Sequence, residues 1–347
     1  MNKQVRRLLV VAFSSLGFVA GAVAAEYSMR IASPNAPPDP SMPDGQQIVA
    51  IPLQHFADTV MERSGGRIDV QIFWNGQLGK MENNVNLVQG GAVQAAIVTD
   101  AQISPYFRDI DALATPYLFV TRDVAFDVLD GEFGTWLSDQ MASAANFRVV
   151  SWMENGGYRN FTANKPLTAA ADLKGLKIRV QPSDIYMQIV ESLGASPTPI
   201  PFADLYTALQ TGVADGQENA FAAVRVARLE EVQKFMILDG HTYGIITLIM
   251  GEEWLQSLPE DMRTMVLEES ATLAKSEREL SLNGSTEDLA YLEESGMTIQ
   301  ELTPEQNAEF KELTQADALQ LLEQSVDQET IDRLMTAVAA AEKKAAN

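Results

Sequence analysis

The sequence predicts an α/β protein of two lobes, on three observations. Between Glu26 and Thr99, stretches with strand alternation and stretches with helical spacing follow one another in the order β–α–β–α–β. The same alternation begins again at Phe147, and a long, mostly helical stretch follows Leu258. With 347 residues, 46% of them hydrophobic, the chain can build a core in each of two domains.

Taken in order, residues 1–25 read as a secretory signal peptide: Lys3, Arg6 and Arg7 precede an apolar run from Leu8 to Ala20, and small residues end at Ala24 and Ala25. The apolar run is shorter than the roughly 20 residues of a membrane span, so export with cleavage near Ala24/Ala25 is expected. "EYSMRIAS" is a strand and "PNAPPDPSMPDG" a proline-rich loop that cannot continue it. Leu53, Phe56, Val60 and Met61 space a helix that stops at Gly65-Gly66, and His55 falls on it. "RIDVQIFW" alternates as a strand ending in Trp74. A loop "NGQLG", a short helix "MENNVNLVQGG" and an apolar strand "VQAAIVT" complete the first lobe's alternation.

The second lobe begins with a strand from Phe147 to Trp152 and the segment "GYRNFTAN". A strand from Leu176 to Val180, a helix "DIYMQIVESLG", a proline-rich link "ASPTPIP" and a helix "ADLYTALQTG" follow. "DGQEN", from Asp215 to Asn219, has the composition of a loop. After Leu258, Pro259 and two acids suit a helix N-terminus, but Gly284 leaves the continuity of that long helix open.

Charge narrows the function. The chain carries 25 basic against 47 acidic residues, a formal balance of −22. Such a surface repels phosphate backbones and anionic lipid, which excludes nucleic acid as a partner. An anionic ligand therefore needs a local site of well-held cations and N–H groups. No cysteine is present, which removes thiol catalysis and Cys-ligated zinc, and the two histidines, His55 and His241, lack metal-ligand spacing. No metal or cofactor is implied.

Two arginines stand out. In "LKIRVQP", Leu176, Ile178 and Val180 face one way, while Arg179 sits on the other face just before Gln181-Pro182, where the strand must end. Carboxyl ends of strands are where open α/β sheets hold ligands. A surface arginine paired with a carboxylate is the competing reading. In "ENGGYRNF", Gly156-Gly157 loosens the backbone before Arg159, which reads as a second strand exit, so that two guanidiniums can form a carboxylate clamp.

The ordered set "GYRNFTANKPL", "DLKGLKIRV", "LGASPTPIPFADLYTALQTGVADGQEN" and "EVQKF", with "NGQLG" upstream and "LPEDM" downstream, resembles the DctP-type solute-binding proteins of tripartite ATP-independent periplasmic (TRAP) transporters. The resemblance implies a two-lobed, type II-like periplasmic-binding-protein fold with a hinge, a long C-terminal helix crossing both lobes, and a ligand in the cleft. The lobes expected on it are residues 26–156 with 245–284, and 157–244 with 285–347. It implies that Arg179 forms the salt bridge to a ligand carboxylate, that Arg159 supports it, that Asn219 and its neighbour Glu218 face the ligand and that Phe202 packs on it. In the first lobe, Thr99 and Asp100 compete for one polar contact and Trp74 is a candidate lining residue. Lys80 departs from the family pattern and either meets a second anionic group or is solvated.

The resulting expectation is a monomeric periplasmic protein that captures a small organic acid, a C4-dicarboxylate, sugar acid or similar carboxylate, and hands it to TRAP membrane subunits. Alternatives are a binding protein of an ABC importer or of a receptor, and an enzyme acting on an acid. Against the enzyme stand the lack of a G-x-S-x-G elbow and of a histidine beside a nucleophile.

Overall fold

The computed structural model describes residues 25–346, so the expected leader lies outside the described residues except for Ala25. In chain order the elements are β1 (Tyr27–Ala32), α1 (Ala50–Arg63), β2 (Ile68–Phe73), α2 (Met81–Gln89), β3 (Ala95–Thr99) and α3 (Asp100–Ile103). There follow α4 (Arg122–Leu129), α5 (Glu132–Ala145), β4 (Phe147–Ala163), β5 (Lys177–Val180), α6 (Asp184–Ser192), β6 (Ser196–Pro199), α7 (Leu205–Gln210) and β7 (Gly216–Asn219). The last are α8 (Phe221–Val226), β8 (Phe235–Gly251), α9 (Glu252–Ser257), α10 (Glu260–Glu294), β9 (Thr298–Glu301), α11 (Pro304–Ser325) and α12 (Gln328–Ala345).

The strands run in the order β2-β1-β3-β8-β4-β7-β5-β6, with β9 on β8. β4 and β8, each of 17 residues, form an antiparallel ribbon whose two ends belong to two different half-sheets. At one end β3 pairs with β8 and continues into the parallel pair β1 and β2. At the other, β7 pairs with β4 and continues into the parallel strands β5 and β6. The β4–β8 register slips between Glu154 and Tyr158 and again between Arg159 and Phe161, so the ribbon is irregular between the half-sheets.

Local chemistry explains most elements. β3, "AAIVT", is buried along its whole length, as a strand inside a covered sheet must be. In α1, Leu53, Phe56 and Val60 are buried while His55 is exposed. α11 starts with Thr303 capping Gln306 N and Pro304 in the first turn.

Three expectations change. Arg159 is not at a strand exit: β4 runs through it, and Gly156 and Gly157, at φ 78° and 90°, make a bulge inside the strand. A Cβ on Gly156 would lie 2.9 Å from the Ala222 methyl. The proline-rich link contains β6, which tolerates Pro197 and Pro199 because it is an edge strand. "DGQEN" is no loop, since Gly216–Asn219 is the buried strand β7, lying between β4 and β5. Composition misled because a short strand buried for its charges has no apolar signature.

α10 is one helix of 35 residues that packs on α1 near its start and on α8 near its end. Gly284 does not interrupt it. It lets the backbone at Gly45 approach: a Cβ there would stand 3.0 Å from Gly45 O and 3.2 Å from its Cα. α12 packs on α4 and α5, elements of the first 156 residues.

Gly284→Val is expected to destabilise the protein by roughly 1–3 kcal/mol through overpacking, read as a lower urea midpoint with an unchanged slope. An unchanged midpoint would mean that the Gly45 turn yields without cost.

Candidate functional site

β7 carries Gln217, Glu218 and Asn219 between β5 and β4, pairing Gln217 with Arg179 on one side and Glu218 with Phe161, two positions after Arg159, on the other. Strand pairing therefore gathers two arginines, 20 positions apart in sequence (179 − 159), around one glutamate.

The two guanidiniums differ in kind. Arg159 is 1% exposed, and its Nε and Nη2 both donate to the Glu218 carboxylate, with Nη2 also donating to Glu218 O at 2.9 Å. Burial opposes its charge, but Glu218 overcomes that and raises its proton affinity. Burial likewise works against the Glu218 carboxylate, and Arg159 and His241 nevertheless pull it down to about 2. Arg179 is equally buried, yet it has no such partner: Nε donates to Ile200 O at 2.8 Å and Nη1 is buried without one. Burial lowers its pKa to about 10, with Glu218 resisting and Arg159 adding to the fall, so it stays charged at neutral pH.

Behind Glu218 lies His241, which the sequence left without a role. Its Nδ1 is 2.6 Å from Asp239 Oδ2, its Nε2 3.5 Å from Glu218 Oε2, and its ring stacks on Phe161 at 4.4 Å. Burial disfavours the imidazolium, but Asp239 and Glu218 raise its pKa to about 9. Arg159 is thus balanced by Glu218 and His241 by Asp239. Arg179 is left as a desolvated cation with N–H donors to offer an anion.

A second set of residues faces this group from the other half-sheet. Thr99 Oγ1 is 2.8 Å from the Gln181 amide, and Tyr186 OH donates to Asp100 Oδ2 at 3.1 Å. Ser104 donates to Asp111 at 2.8 Å, and Ser183 Oγ is 3.5 Å from its other oxygen. Two exposed ion pairs, Lys80–Asp204 at 2.6 Å and Arg108–Asp184 at 2.5 Å, bridge the same gap at its rim. These contacts draw β3, α3 and the start of α2 against β5, α6 and the start of α7.

Comparison with known proteins gives this arrangement a family. The sequence profile of the DctP family, "Bacterial extracellular solute-binding protein, family 7", matches residues 43–325. The chain belongs to that family. A solute-binding protein of Roseobacter denitrificans is 35% identical over 247 residues, 71% of this chain and 75% of that one. The C4-dicarboxylate-binding periplasmic protein of Rhodobacter capsulatus is 29% identical over 260 residues, 74% of this chain and 78% of its own. Among solved structures, the sugar-acid-binding protein of Advenella mimigardefordensis in complex with galactonate aligns with a TM-score of 0.83 at 27% identity, covering 92% of this chain and all of that one. A TRAP periplasmic solute-binding protein of Roseobacter denitrificans with bound L-galactonate aligns at 0.79 with 30% identity, over 91% and 99% of the two chains. The two-lobed DctP fold is the fold of this protein, and proteins of the family are periplasmic.

Within this DctP protein the sequence candidates separate. Arg179, Arg159 and Glu218 come together as described. Asn219 is buried at the end of β7, with Nδ2 donating to Gln217 Oε1 at 2.5 Å. Thr99 and Asp100 are both buried, so the structure does not choose between them but gives each its own partner. Phe202 is half-buried against the cluster of Leu205, Leu209 and Leu229, and Trp74 packs on the core around Leu53 and Phe56. Lys80 is neither free nor turned to a second anion site, because Asp204 holds it. Gln181, Tyr186, Asp111, His241 and Asp239 were missed as site residues. "DGHTYG", a polar step inside a long apolar run, was the available signal for two of them. Among the described residues, no group of three His, Asp or Glu side chains is placed to hold a metal ion.

Burial raises Asp111 from 3.8 to about 7, against the Ser104 hydrogen bond. For an acid whose folded-state pKa is raised, the folded form holds the proton longer, so stability falls as pH rises between about 4 and about 7. Asp111→Asn removes that loss: the stability of the variant relative to wild type is expected to increase across this window in urea titrations at several pH values. A constant difference would place Asp111 in a more polar setting than its burial indicates.

Proposed function

We propose that this protein is the ligand-capturing subunit of a TRAP transporter, that it takes up a small organic acid through a salt bridge from Arg179 to the ligand carboxylate, and that its lobes close over it. The observation that carries the reading is the Arg179 guanidinium, buried beside a second arginine and left without a carboxylate of its own. A buried charge is costly unless paired, and a ligand carboxylate supplies the missing partner. Arg159 acts mainly by position, held by Glu218 and backed by His241, and adds positive potential behind the carboxylate. Asn219 and Phe202 complete the pocket on this side, Thr99 and Asp100 on the other. Bound relatives support the ligand class, for family members hold galactonate and C4-dicarboxylates.

The hinge of this reading is the irregular part of the β4–β8 ribbon, with Gly156, Gly157 and Gly240 all at positive φ. The first lobe is residues 26–156 with 245–284 and, from its packing, α12. The second is 157–244 with most of the remaining chain. Ligand favours closure only by its greater affinity for the closed form. The cross-cleft bonds from Thr99, Asp100 and Asp111, and the rim pairs of Lys80 and Arg108, belong to that form. Residues 1–25 act as the export leader, the mature protein works as a monomer, and its partners are the TRAP membrane subunits. No chemistry on the ligand is required.

Arg179→Ala is expected to weaken carboxylate binding by roughly 2–5 kcal/mol, about one and a half to three and a half decades, in a protein that still folds. Arg179→Lys also binds poorly, because an ammonium lacks the fork geometry. A thermal-shift screen against carboxylates, neutral sugars and amino acids checks both. A neutral compound that stabilises wild type and Arg179→Ala alike, with no carboxylate doing so, would overturn the reading.

A further inference from the structure

Outside the anion site, a second group of buried charges gathers where α10 crosses the ribbon. Glu154, on β4, is 4% exposed, and Glu277, midway along α10, is not exposed at all. They meet where the ribbon is irregular. Glu277 Oε2 accepts from Glu154 N at 2.8 Å, and Glu154 is the last β4 residue paired with β8 before the register slips to Tyr158. Glu154 Oε1 also lies against the bulge, since a Cβ on Gly157 would stand 3.1 Å from it.

The cations of this region are committed to other groups. Arg122, from α4, donates through Nε to Glu154 Oε2 at 2.6 Å and through Nη2 to Arg278 O. Arg278, beside Glu277 in sequence, turns its guanidinium to Asp130 and to Trp152 O. Tyr243, from β8, is kept protonated by its burial, and Ser281 lies one turn further along α10, so both bring hydroxyls and no charge. The other elements packed on α10 meet it elsewhere: α1 through Arg63 at Glu268 and Glu269, the Gly45 turn at Gly284, and α8 through Arg225 at Asp288. Glu277 is left with one backbone N–H for one oxygen and no partner for the other.

An ionised carboxylate in this position bears two costs, the loss of water and the nearby Glu154 charge. A proton removes both. Burial holds that proton well above the ordinary carboxylate range, with the Glu154 charge adding to it and the Glu154 N–H, Arg278 and Arg122 opposing.

Resting on the hinge reading above, we infer that Glu277 is a neutral carboxylic acid in the working protein and a positioning residue of the hinge: its proton lets α10 stay fastened to β4 at the bulge, and loss of the proton drives the two carboxylates apart and loosens the ribbon. Lobe motion then responds to alkaline pH through a residue of the crossing helix.

Two measurements test this. Carbon-13 NMR of the whole protein labelled at the glutamate carboxyls is expected to show, at neutral pH, a resonance at the protonated position that is absent from Glu277→Gln. Ser281→Ala, expected to move the same resonance, assigns it should Glu277→Gln not fold. Glutamates that are all ionised at neutral pH overturn the inference. The chain has no cysteine, so spin labels at Gln77→Cys and Thr207→Cys, exposed positions near Lys80 and Asp204 on the two sides of the gap, report lobe separation. From about pH 6 to about pH 9 the spread of that distance is expected to widen with Glu277 present and to stay constant in Glu277→Gln. Equal widening in both assigns the response to another group, such as His241, and overturns the inference while the hinge reading stands. A distance that neither pH nor any carboxylate of the screen changes removes both.

Discussion

Arg159 and Glu218 sit on neighbouring strands, each 1% exposed at the side chain, and neither can be buried there without the other. Two charges taken out of water cost several kcal/mol each, and removing one partner leaves that cost uncompensated. The pair locks β4 to β7 in one register and places a fixed positive charge beside Arg179. His241 and Asp239 reinforce it from the second long strand. The result is a cluster whose internal charges cancel, with one cation left over at its edge. That remainder is the cation on which the proposed carboxylate site rests, inside a chain with a formal charge of −22.

The two long strands give this cluster its mechanical setting. The β4–β8 pairing slips once near the start of β4, between Val149 and Ser151, and twice in the middle, where Gly156, Gly157 and Gly240 adopt conformations that other residues rarely take. α10 spans the same region from outside. Arg278 reaches from it to Trp152 O and to Asp130 and lies over the Phe126 ring at 3.6 Å, while Glu277 accepts from Glu154 N at 2.8 Å. The ribbon that carries Arg159, Asp239 and His241 is therefore also the connection between the half-sheets.

Much of the fold was legible because it rests on short-range patterns. The alternation in β1, β2 and β5, the helical spacing of α1 and the start of α10 all reflect one face meeting a core. Two of the misreadings share a cause. β7 and the middle of β4 carry polar and charged residues that are buried for their electrostatic partners, and a pattern rule reads such residues as exposed. β6 was hidden by its prolines, which an edge position permits. What a glycine at 284 accommodates is the backbone of Gly45, 239 positions away (284 − 45), and no local window contains both.

By itself the sequence determined the class of the protein: an α/β chain of two lobes, too acidic for nucleic acid, whose ordered segments match one family of solute-binding proteins and single out Arg159 and Arg179. The tertiary structure decided that these two arginines are unequal, one neutralised by Glu218 and the other not, and that Thr99 and Asp100 each meet a partner from the opposite half of the cleft. It also decided that Lys80 is engaged at the rim. The reason is that charge state and availability are properties of neighbours. Residue type places a guanidinium on a strand, but only strand order and closure of the two halves settle which carboxylate, if any, stands beside it.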